Sequence, residues 1–350
     1  MTNNKMKILK IIFFNIFISL FVILLFELFF GYWLKDSNFG IYIRDIRNIE
    51  KQFDNTHNGK KYRYTFKRNF HGFIGDEIDP KEIKIVFEGG STGEQIYTPP
   101  EFRIVDQLNS FFKKDQIDVN IINASTGGKT TRGYYNDFEN WFPKIKNFDP
   151  KIFIFYTGLN DSSLKLPKHF DNIKRDSNFD QIEDYFKNNS IIYEIKTKLQ
   201  KKYFSKIRKF YGLYEKDLYN NFKYINYKEA KLKFNRDDLN LEETFLINNF
   251  EKNLLNLDRK IIETKITPIF ITQVKFDGIS SKELFLINEI LKKFCKTKNY
   301  DIIKLDEIVK NLEKNDFYDH VHTGILGSIK ISKILYPHLK NILINFKEKL

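Results

Sequence analysis

The sequence predicts an α/β fold in which helices cover both faces of a parallel β-sheet. From residue 81 onward, short and almost continuously apolar segments alternate with helical segments. The segment Ile152–Tyr156 is apolar at every position, as expected of a strand without a solvent-facing side. Glycine-containing motifs follow the first three apolar segments, and the carboxyl ends of parallel strands are where sites form in such sheets.

Five strands are predicted, each from a short apolar segment. They lie at residues 83–87, 119–122, 152–156, 266–272 and 301–305. Helical patterns run from about residue 100 to 114 and from about 134 to 145, with further helical segments before and between the last two strands. This order of elements describes the region from residue 81 to the C-terminus.

The composition excludes some classes of protein. With 350 residues, of which 42% are hydrophobic, the chain can bury one large core or two modest ones. Cys295 is the only cysteine, so neither an intramolecular disulfide nor a cysteine-based metal site can form. The net charge of +13 accompanies heavy use of Lys, Asn, Ile and Phe together. We attribute it to a compositional bias and expect no nucleic-acid partner.

Residues 11–34 predict a single transmembrane helix. The segment is long enough to cross a hydrocarbon layer of roughly 30 Å, and Glu27 is its only charged residue. Three lysines and no acid precede it, which predicts a cytoplasmic tail at residues 1–10 and the rest of the chain on the extracytoplasmic side of the inner membrane. A cleaved signal peptide is the alternative, but no small-x-small cleavage site follows the apolar segment.

The remaining chain divides into a linker and a domain. Residues 35–80 have no sustained period and are interpreted as a stalk that packs on the domain at 81–350. A helical insertion at about 162–240 interrupts that domain with 18 basic and 11 acidic residues, a net charge of +7, and many Tyr and Phe residues. Its rings either pack on the main domain, or the insertion is a basic lid that binds an acidic polymer or lipid headgroups.

A serine follows the first predicted strand, in the turn Gly89-Gly90-Ser91-Thr92. Two glycines permit a tight turn that presents the Ser91 hydroxyl and its own backbone N–H at the edge of the sheet. Two further motifs, Asn123-Ala124-Ser125-Thr126-Gly127-Gly128 and Gly158-Leu159-Asn160-Asp161, follow the second and third predicted strands and supply hydrogen-bond donors for a developing oxyanion. These donors are the backbone N–H of Gly128 and the side-chain amide of Asn160.

An acid and a histidine occur three residues apart near the C-terminus, in Asp319-His320-Val321-His322. This spacing lets the carboxylate of Asp319 hold the Nδ1–H of His322, which leaves Nε2 to take a proton from a serine. The four motifs together therefore supply what acyl transfer through a serine requires.

Two other interpretations of these motifs are less favoured. Gly128-Lys129-Thr130 ends like a phosphate-binding loop, but that motif requires glycine at the position of Asn123. His320 and His322 resemble a metal-binding pair, yet a zinc site needs three or four ligands and the other histidines show no suitable grouping. We expect no nucleotide, metal or other cofactor.

The four motifs, in this order, resemble those of the SGNH hydrolases, the GDSL esterase and lipase superfamily, over residues 81–350 without the insertion. The resemblance implies a three-layer α/β/α sandwich of the flavodoxin type, with a central parallel five-stranded sheet in the order 2-1-3-4-5. It places the nucleophile, the oxyanion glycine, the oxyanion asparagine, the acid and the base on Ser91, Gly128, Asn160, Asp319 and His322.

One further residue matches this resemblance and another departs from it. Gly327, five residues after His322, fits the block around the family's histidine. The family's Gly-Asp-Ser is Gly89-Gly90-Ser91 in this chain, which removes an acid beside the nucleophile and affects the expected substrate range more than the expected catalysis.

The motifs and the resemblance predict a membrane-anchored serine esterase that hydrolyses ester-linked acyl groups through an acyl-enzyme on Ser91. The expected substrate is an acylated small molecule or an envelope glycan bearing O-acetyl groups. The nearest alternative is an O-acyltransferase, in which a sugar hydroxyl replaces water; a lysophospholipase or thioesterase is also open because the site would lie near a bilayer. A non-catalytic envelope scaffold is disfavoured, since all five catalytic-type residues are present.

Overall fold

The computed structural model describes most of the chain. The described residues are 2–34, 47–57, 59–163, 171, 178–204, 208–211, 223–234, 238–310 and 312–347. The chain forms two compact units. One consists of Met1–Asp45 and Lys174–Lys206, and the other of Ile46–Ile173 and Ile207–Leu350.

Strands and helices are numbered in chain order. The strands are β1 (Ile49–His57), β2 (Lys60–Arg68), β3 (Ile85–Gly89), β4 (Ile121–Asn123), β5 (Ile152–Tyr156), β6 (Arg208–Tyr211), β7 (Thr267–Ile271) and β8 (Asp301–Ile303). The helices are α1 (Thr2–Phe30), α2 (Ser91–Glu94), α3 (Ile104–Lys114), α4 (Thr131–Asn140), α5 (Asn178–Asn189), α6 (Ile191–Phe204), α7 (Tyr227–Lys233), α8 (Leu241–Thr264), α9 (Lys282–Lys298), α10 (Leu305–Ile308) and α11 (Ile325–Lys347).

The larger unit contains the predicted parallel sheet. Its five strands lie in the spatial order β4-β3-β5-β7-β8, and each neighbouring pair is parallel. Counted along the chain this order is 2-1-3-4-5, so the predicted topology is confirmed. Every residue of β3 and β5 is buried, which explains why their sequences lack the alternation of a half-exposed strand.

Two groups of helices cover this sheet. Helix α3 packs on α11, while α4 packs on α8 and α8 packs on α9. Parallel crossovers are right-handed, so the connection from β3 to β4 through α3 lies on one face and the later connections through α4, α8 and α9 lie on the other. The result is the predicted three-layer α/β/α sandwich.

Helix α8 is fixed at its start by a capping box. The Asn240 side chain accepts a hydrogen bond from the Glu243 N–H at 2.8 Å, and the Glu243 carboxylate accepts one from the Asn240 N–H at 2.9 Å. Leucine, isoleucine and phenylalanine residues at helical spacing, among them Leu246, Phe250 and Leu254, bury one face of the helix. Asn249 and Asn253, next to this face on the helix, line a surface cleft together with Leu246 and Phe250.

The larger unit also contains a three-stranded sheet, which the sequence analysis did not predict. Strands β1 and β2 form an antiparallel hairpin, and β6 pairs with β1 in parallel. Only alternate residues in the second half of β1 are buried, and two of these, Asn55 and His57, are polar. The apolar signal of the hairpin is therefore carried mainly by Phe53 and Phe66, which are both fully buried.

The smaller unit contains α1, α5 and α6. Within α1, the segment Met6–Phe30 has a mean hydropathy of 2.7 and no buried residues in its most apolar part. The helix ends at Phe30, four residues before the predicted end of the span, and Gly31 follows. A helix of this length and composition crosses a bilayer or serves as a signal sequence.

Parts of the predicted stalk and insertion lie outside the described residues. These parts are residues 35–46 and 58 of the stalk and residues 164–170, 172–177, 205–207, 212–222 and 235–237 of the insertion. The described parts of the insertion form α5, α6, β6 and α7. The first two helices belong to the smaller unit, whereas β6 and α7 belong to the larger one.

Candidate active site

Ser91 lies at the junction of a strand and a helix. Strand β3 ends at Gly89, Gly90 is the N-cap of α2, and Ser91 is the first residue of that helix. The N–H groups of Gly93 and Glu94 both donate to the Gly90 carbonyl at 3.0 Å, which closes the turn. Because the first N–H groups of a helix have no acceptor within it, the Ser91 N–H can donate to a bound anion.

The structure brings Ser91, His322 and Asp319 into one hydrogen-bonded chain. His322 Nε2 lies 2.7 Å from Ser91 Oγ, and His322 Nδ1 lies 2.7 Å from Asp319 Oδ2. An ionised carboxylate only accepts hydrogen bonds, so Nδ1 carries the proton and Nε2 accepts from the Ser91 hydroxyl. Two segments 231 residues apart in the sequence therefore meet in the geometry of a nucleophile, base and orienting acid.

Asp319 also holds the backbone of its own loop. Its Oδ1 accepts hydrogen bonds from the Val321 N–H at 2.8 Å and the His322 N–H at 2.7 Å. Burial raises the pKa of the Asp319 carboxyl, but the hydrogen bond and charge of His322 and the two backbone donors outweigh it, so the pKa is lowered overall. Asp319 is therefore ionised at neutral pH and favours the imidazolium that forms when His322 takes a proton.

Tyr318 packs against the imidazole ring of His322. Its ring stacks on the His322 ring at 5.5 Å between centroids, with 4° between the planes, and its backbone N–H donates to the His322 carbonyl. Tyr97 and His57 meet the Tyr318 ring edge to face, at 6.1 and 6.4 Å. His57 lies on β1, so the hairpin that the sequence did not reveal forms part of the wall behind His322.

Asn160 and the glycine turn lie on the other side of Ser91. The Asn160 Nδ2 group donates to the Lys129 carbonyl at 2.8 Å, which leaves its second hydrogen available. The turn before Lys129 is closed by its N–H donating to Thr126, and Gly128 has φ +76°, a conformation that favours glycine. A Cβ built on Gly127 would stand 3.9 Å from the Ser91 Cβ, so this turn lies directly beside the serine.

Gly90 has a structural reason to lack a side chain. A Cβ at this position would collide with the Asn160 Nδ2 group and lie 3.3 Å from the Lys129 carbonyl oxygen. An aspartate at position 90, as in the family pattern, would require Asn160 to move. The departure from Gly-Asp-Ser is therefore coupled to the close approach of Asn160.

A buried ion cluster underlies the glycine turn. The Lys129 side chain is fully buried; its ammonium lies 3.4 Å from Glu88 and forms an ion pair with Asp137. Burial lowers the pKa of Lys129, but the charges of Asp137 and Glu88 outweigh it and the net change is upward. Burial raises the pKa of Glu88 well above its ordinary value. The ammonium of Lys129 is thus enclosed and paired within the protein.

Lys129→Met should destabilise the larger unit by about 3–5 kcal/mol, because Glu88 and Asp137 would lose the cation that compensates their burial. The measurement is the free energy of unfolding in urea of a fragment that lacks α1. The control is Lys260→Met, which breaks surface ion pairs with Glu139 and Glu263 and should cost at most about 1 kcal/mol. Equal costs for the two substitutions would contradict this role for Lys129.

Two buried glutamines connect the site loops, and the sequence did not point to either. Gln95, the last residue of the α2 turn, donates to Thr323 Oγ1 at 2.9 Å and to Ser328 Oγ at 2.6 Å. Gln273 donates to Thr92 Oγ1 at 2.8 Å and accepts from the Leu159 N–H at 2.7 Å. The only sequence signal for Gln273 is its position just after the fourth predicted strand (residues 266–272), at the edge of the sheet where Ser91 and Asn160 also lie.

His320 faces away from the proton relay. Its ring packs edge to face on Phe276 at 5.1 Å, and its carbonyl accepts from the Phe276 N–H. No group of three or more metal-binding side chains occurs among the residues that the structure describes. His169 lies outside those residues.

A cleft of about 380 Å³ opens beside Asn160. Its walls are mainly polar and include Thr130, Arg132, Asn160, Asn249, Asn253 and the exposed ring of Phe245. Arg132 donates from Nε and Nη2 to Asp171 Oδ2 at 3.1 and 2.9 Å, so its charge is already paired. The cleft thus offers amide groups and an aromatic surface without an excess of positive charge.

No protein-family model matches the chain, and no curated protein matches it. Among solved structures, TesA has 10% identity, a TM-score of 0.42, and coverage of 74% of this chain and 98% of that one. The acetyl xylan esterase AlAXEase has 15% identity, a TM-score of 0.41, and coverage of 73% and 99%. The esterase EstA from Pseudoalteromonas sp. has 11% identity, a TM-score of 0.41, and coverage of 74% and 98%. At these scores the similarities assign neither a family nor a substrate.

Proposed function

We propose that this protein is a serine esterase of the SGNH type that cleaves ester-linked acyl groups. The observation that carries the proposal is the chain from Ser91 Oγ through His322 to Asp319, with both hydrogen bonds at 2.7 Å. The second support is the placement of Asn160 and the Gly127–Gly128 turn beside Ser91, where donors can bind a developing oxyanion.

In the proposed mechanism, Ser91 Oγ attacks the ester carbonyl while His322 Nε2 takes the hydroxyl proton. The carbonyl oxygen becomes an oxyanion, which the free Nδ2 hydrogen of Asn160 and the backbone N–H groups of Ser91 and Gly128 stabilise. The bond to the alkoxide then breaks as His322 returns the proton to the leaving alcohol. Water, deprotonated by the same histidine, attacks the acyl-enzyme and releases the carboxylic acid and Ser91.

The cleft beside Asn160 favours a polar alcohol portion in the substrate. The amides of Asn249 and Asn253 suit hydroxyl groups, and Phe245 offers a face for the apolar side of a sugar ring. These features support an O-acetylated glycan over a long acyl chain. The same cleft also suits a sugar acceptor in place of water, so O-acyl transfer is the second candidate function.

Ser91→Ala should abolish hydrolysis of p-nitrophenyl acetate and labelling by a fluorophosphonate, because it removes the attacking hydroxyl. Mass spectrometry of the labelled parent protein should place the adduct on Ser91. A labelled serine elsewhere, together with full activity of Ser91→Ala, would reject the proposal. Adding an acetylated oligosaccharide with an unacetylated acceptor, and following acetyl transfer, distinguishes esterase from acyltransferase.

His322→Ala should lower kcat by on the order of a thousandfold or more, since both proton transfers pass through its Nε2. His320→Ala is the matched control, because its ring packs on Phe276 instead, and it should retain most of the activity. Steady-state kinetics with p-nitrophenyl acetate give both values. The reverse ranking of the two variants would reject the proposed relay.

Asn160→Ala should lower kcat roughly 10²–10³-fold with little change in KM, because the amide stabilises charge that exists only in the transition state. Asn249→Ala is the control for general effects on the cleft and should leave kcat for p-nitrophenyl acetate near the parent value. A change confined to KM in Asn160→Ala would identify Asn160 as a substrate-binding residue instead.

We further propose that α1 anchors the protein in the inner membrane, with the esterase unit on the extracytoplasmic side. The lysine-bearing, acid-free tail and the apolar segment Met6–Phe30 support this orientation. A C-terminal alkaline phosphatase fusion should be active, and the full-length protein should stay in the membrane pellet after a salt wash. An inactive fusion would contradict the orientation, and a shortened soluble product would contradict the anchor alone.

A further inference from the structure

Helices α5 and α6 expose an unusual amount of apolar surface. Residues 178–204, which comprise the two helices and Ser190 between them, carry seven exposed large hydrophobic side chains, as many as the rest of the described chain after residue 34. These are Phe179, Ile182, Tyr185, Phe186, Ile192, Ile195 and Leu199. On the surface of a soluble protein such residues are scattered, whereas a contiguous group of them marks an interaction site.

The exposed residues form a continuous stripe on each helix. On α6, Ile192, Ile195 and Leu199 follow the i, i+3, i+7 spacing of one helical face. Glu194, between them in sequence, is only 8% exposed. The apolar face of α6 therefore points outward while an acidic residue is enclosed, the reverse of a helix that packs against a protein core.

A joint connects these helices to the end of α1. The Glu27 carboxylate accepts hydrogen bonds from Ser190 Oγ at 2.6 Å and from the N–H groups of Ile191 and Ile192 at 3.0 and 3.2 Å, which caps the start of α6. The Trp33 indole N–H donates to the same carboxylate at 3.0 Å. These contacts fix the first turn of α6 at the level of Glu27.

Aromatic contacts fix α5 at the same level. The Trp33 ring meets Tyr185 and Phe186 edge to face, at 6.0 and 5.4 Å between centroids. The backbone N–H of Tyr32 donates to the Asn189 carbonyl at 2.8 Å, and a Cβ on Gly31 would press on that carbonyl. The end of α1 and the turn between α5 and α6 therefore form one packed structure.

The position of Glu27 along α1 indicates what covers the apolar stripe. Glu27 lies three residues before the end of the apolar segment at Phe30, about 4.5 Å along the helix axis at 1.5 Å per residue. If α1 spans a bilayer, this depth is the boundary between acyl chains and headgroups, where Trp and Tyr are enriched. Helix α6 has four lysines and one acid in its sequence, which complements anionic headgroups.

We propose that α5 and α6 form an interfacial membrane element, which lies beside the end of α1 with its apolar stripe in the headgroup and acyl-chain boundary. Lys196, exposed next to the stripe, extends its ammonium to the headgroups. This proposal rests on α1 as a membrane span and is independent of the proposed esterase chemistry.

The test places nitroxide labels on the full-length protein in nanodiscs of phosphatidylcholine and phosphatidylglycerol. Single cysteines replace Ile182, Ile195 or Leu199, and the fully buried Cys295 stays in place. These three side chains are exposed, so the substitutions remove few packed contacts. Thr197→Cys, about 200° around α6 from Ile195, is the matched control on the other face. Power saturation compares the collision rates of each label with oxygen and with a water-soluble nickel complex.

We expect the oxygen-to-nickel ratio at Ile182, Ile195 and Leu199 to be several-fold higher than at Thr197, as for labels in contact with acyl chains. Free access of the nickel complex to the three labels would overturn the proposal, since the stripe would then face water. Low access of both reagents would also overturn it, because protein, such as a second copy of the chain, would then cover the stripe. Loss of α1 from the purified protein, measured by intact mass, would overturn it as well.

Discussion

The hydrogen bond between Ser91 and His322 depends on holding two distant loops at a fixed separation, and Gln95 is the residue that does so. Its amide donates to Thr323 and Ser328 on the histidine side, and its Oε1 accepts from the Ile104 N–H at the start of α3. Gln95 is buried, so these bonds exchange little with water. A shift of the serine turn relative to the histidine loop would break several buried hydrogen bonds at once, each of which is costly to leave unmade. Ser91 and His322, the proposed nucleophile and base, are therefore held in place by the residue that ends the helix of Ser91.

The oxyanion side of the site depends on a second set of buried contacts. Lys129 connects the buried ion cluster to the proposed oxyanion donor Asn160. Its side chain lies between Glu88 and Asp137, and its carbonyl accepts a hydrogen bond from the Asn160 side chain. Gln273 adds a second connection, from Thr92 next to the serine to Leu159 next to the asparagine. The donors proposed for the oxyanion thus stand on groups that cannot relax without exposing buried charge. Fixed dipoles of this kind stabilise a transition state without reorganisation during the reaction.

Much of the sandwich was predictable because its signals are local. Continuous apolar strands such as Ile152–Tyr156 predict the parallel sheet, and the glycine and polar residues after them predict the edge at which the candidate site lies. The spacing of Asp319 and His322 is local too, and the structure gives it the expected hydrogen bond. Gln95 and Gln273 could not be predicted, since a glutamine in a loop has no periodicity and its partners lie far away in sequence. The hairpin was missed because Asn55 and His57 occupy buried positions that a strand pattern assigns to apolar residues.

The glycine at position 90 affects the electrostatics of the site as well as its packing. An aspartate there would add negative charge beside the oxyanion, in addition to displacing Asn160. The other acids near the turn are compensated: Glu94 pairs with the buried Arg68 at 2.9 Å, and burial raises the pKa of Asp161 to about 7, so that it is partly neutral at physiological pH. Asp319, which lies behind the imidazole, keeps its charge where it favours the imidazolium. The arrangement therefore concentrates negative charge on the base side of Ser91 and limits it on the oxyanion side, as the proposed acyl transfer requires.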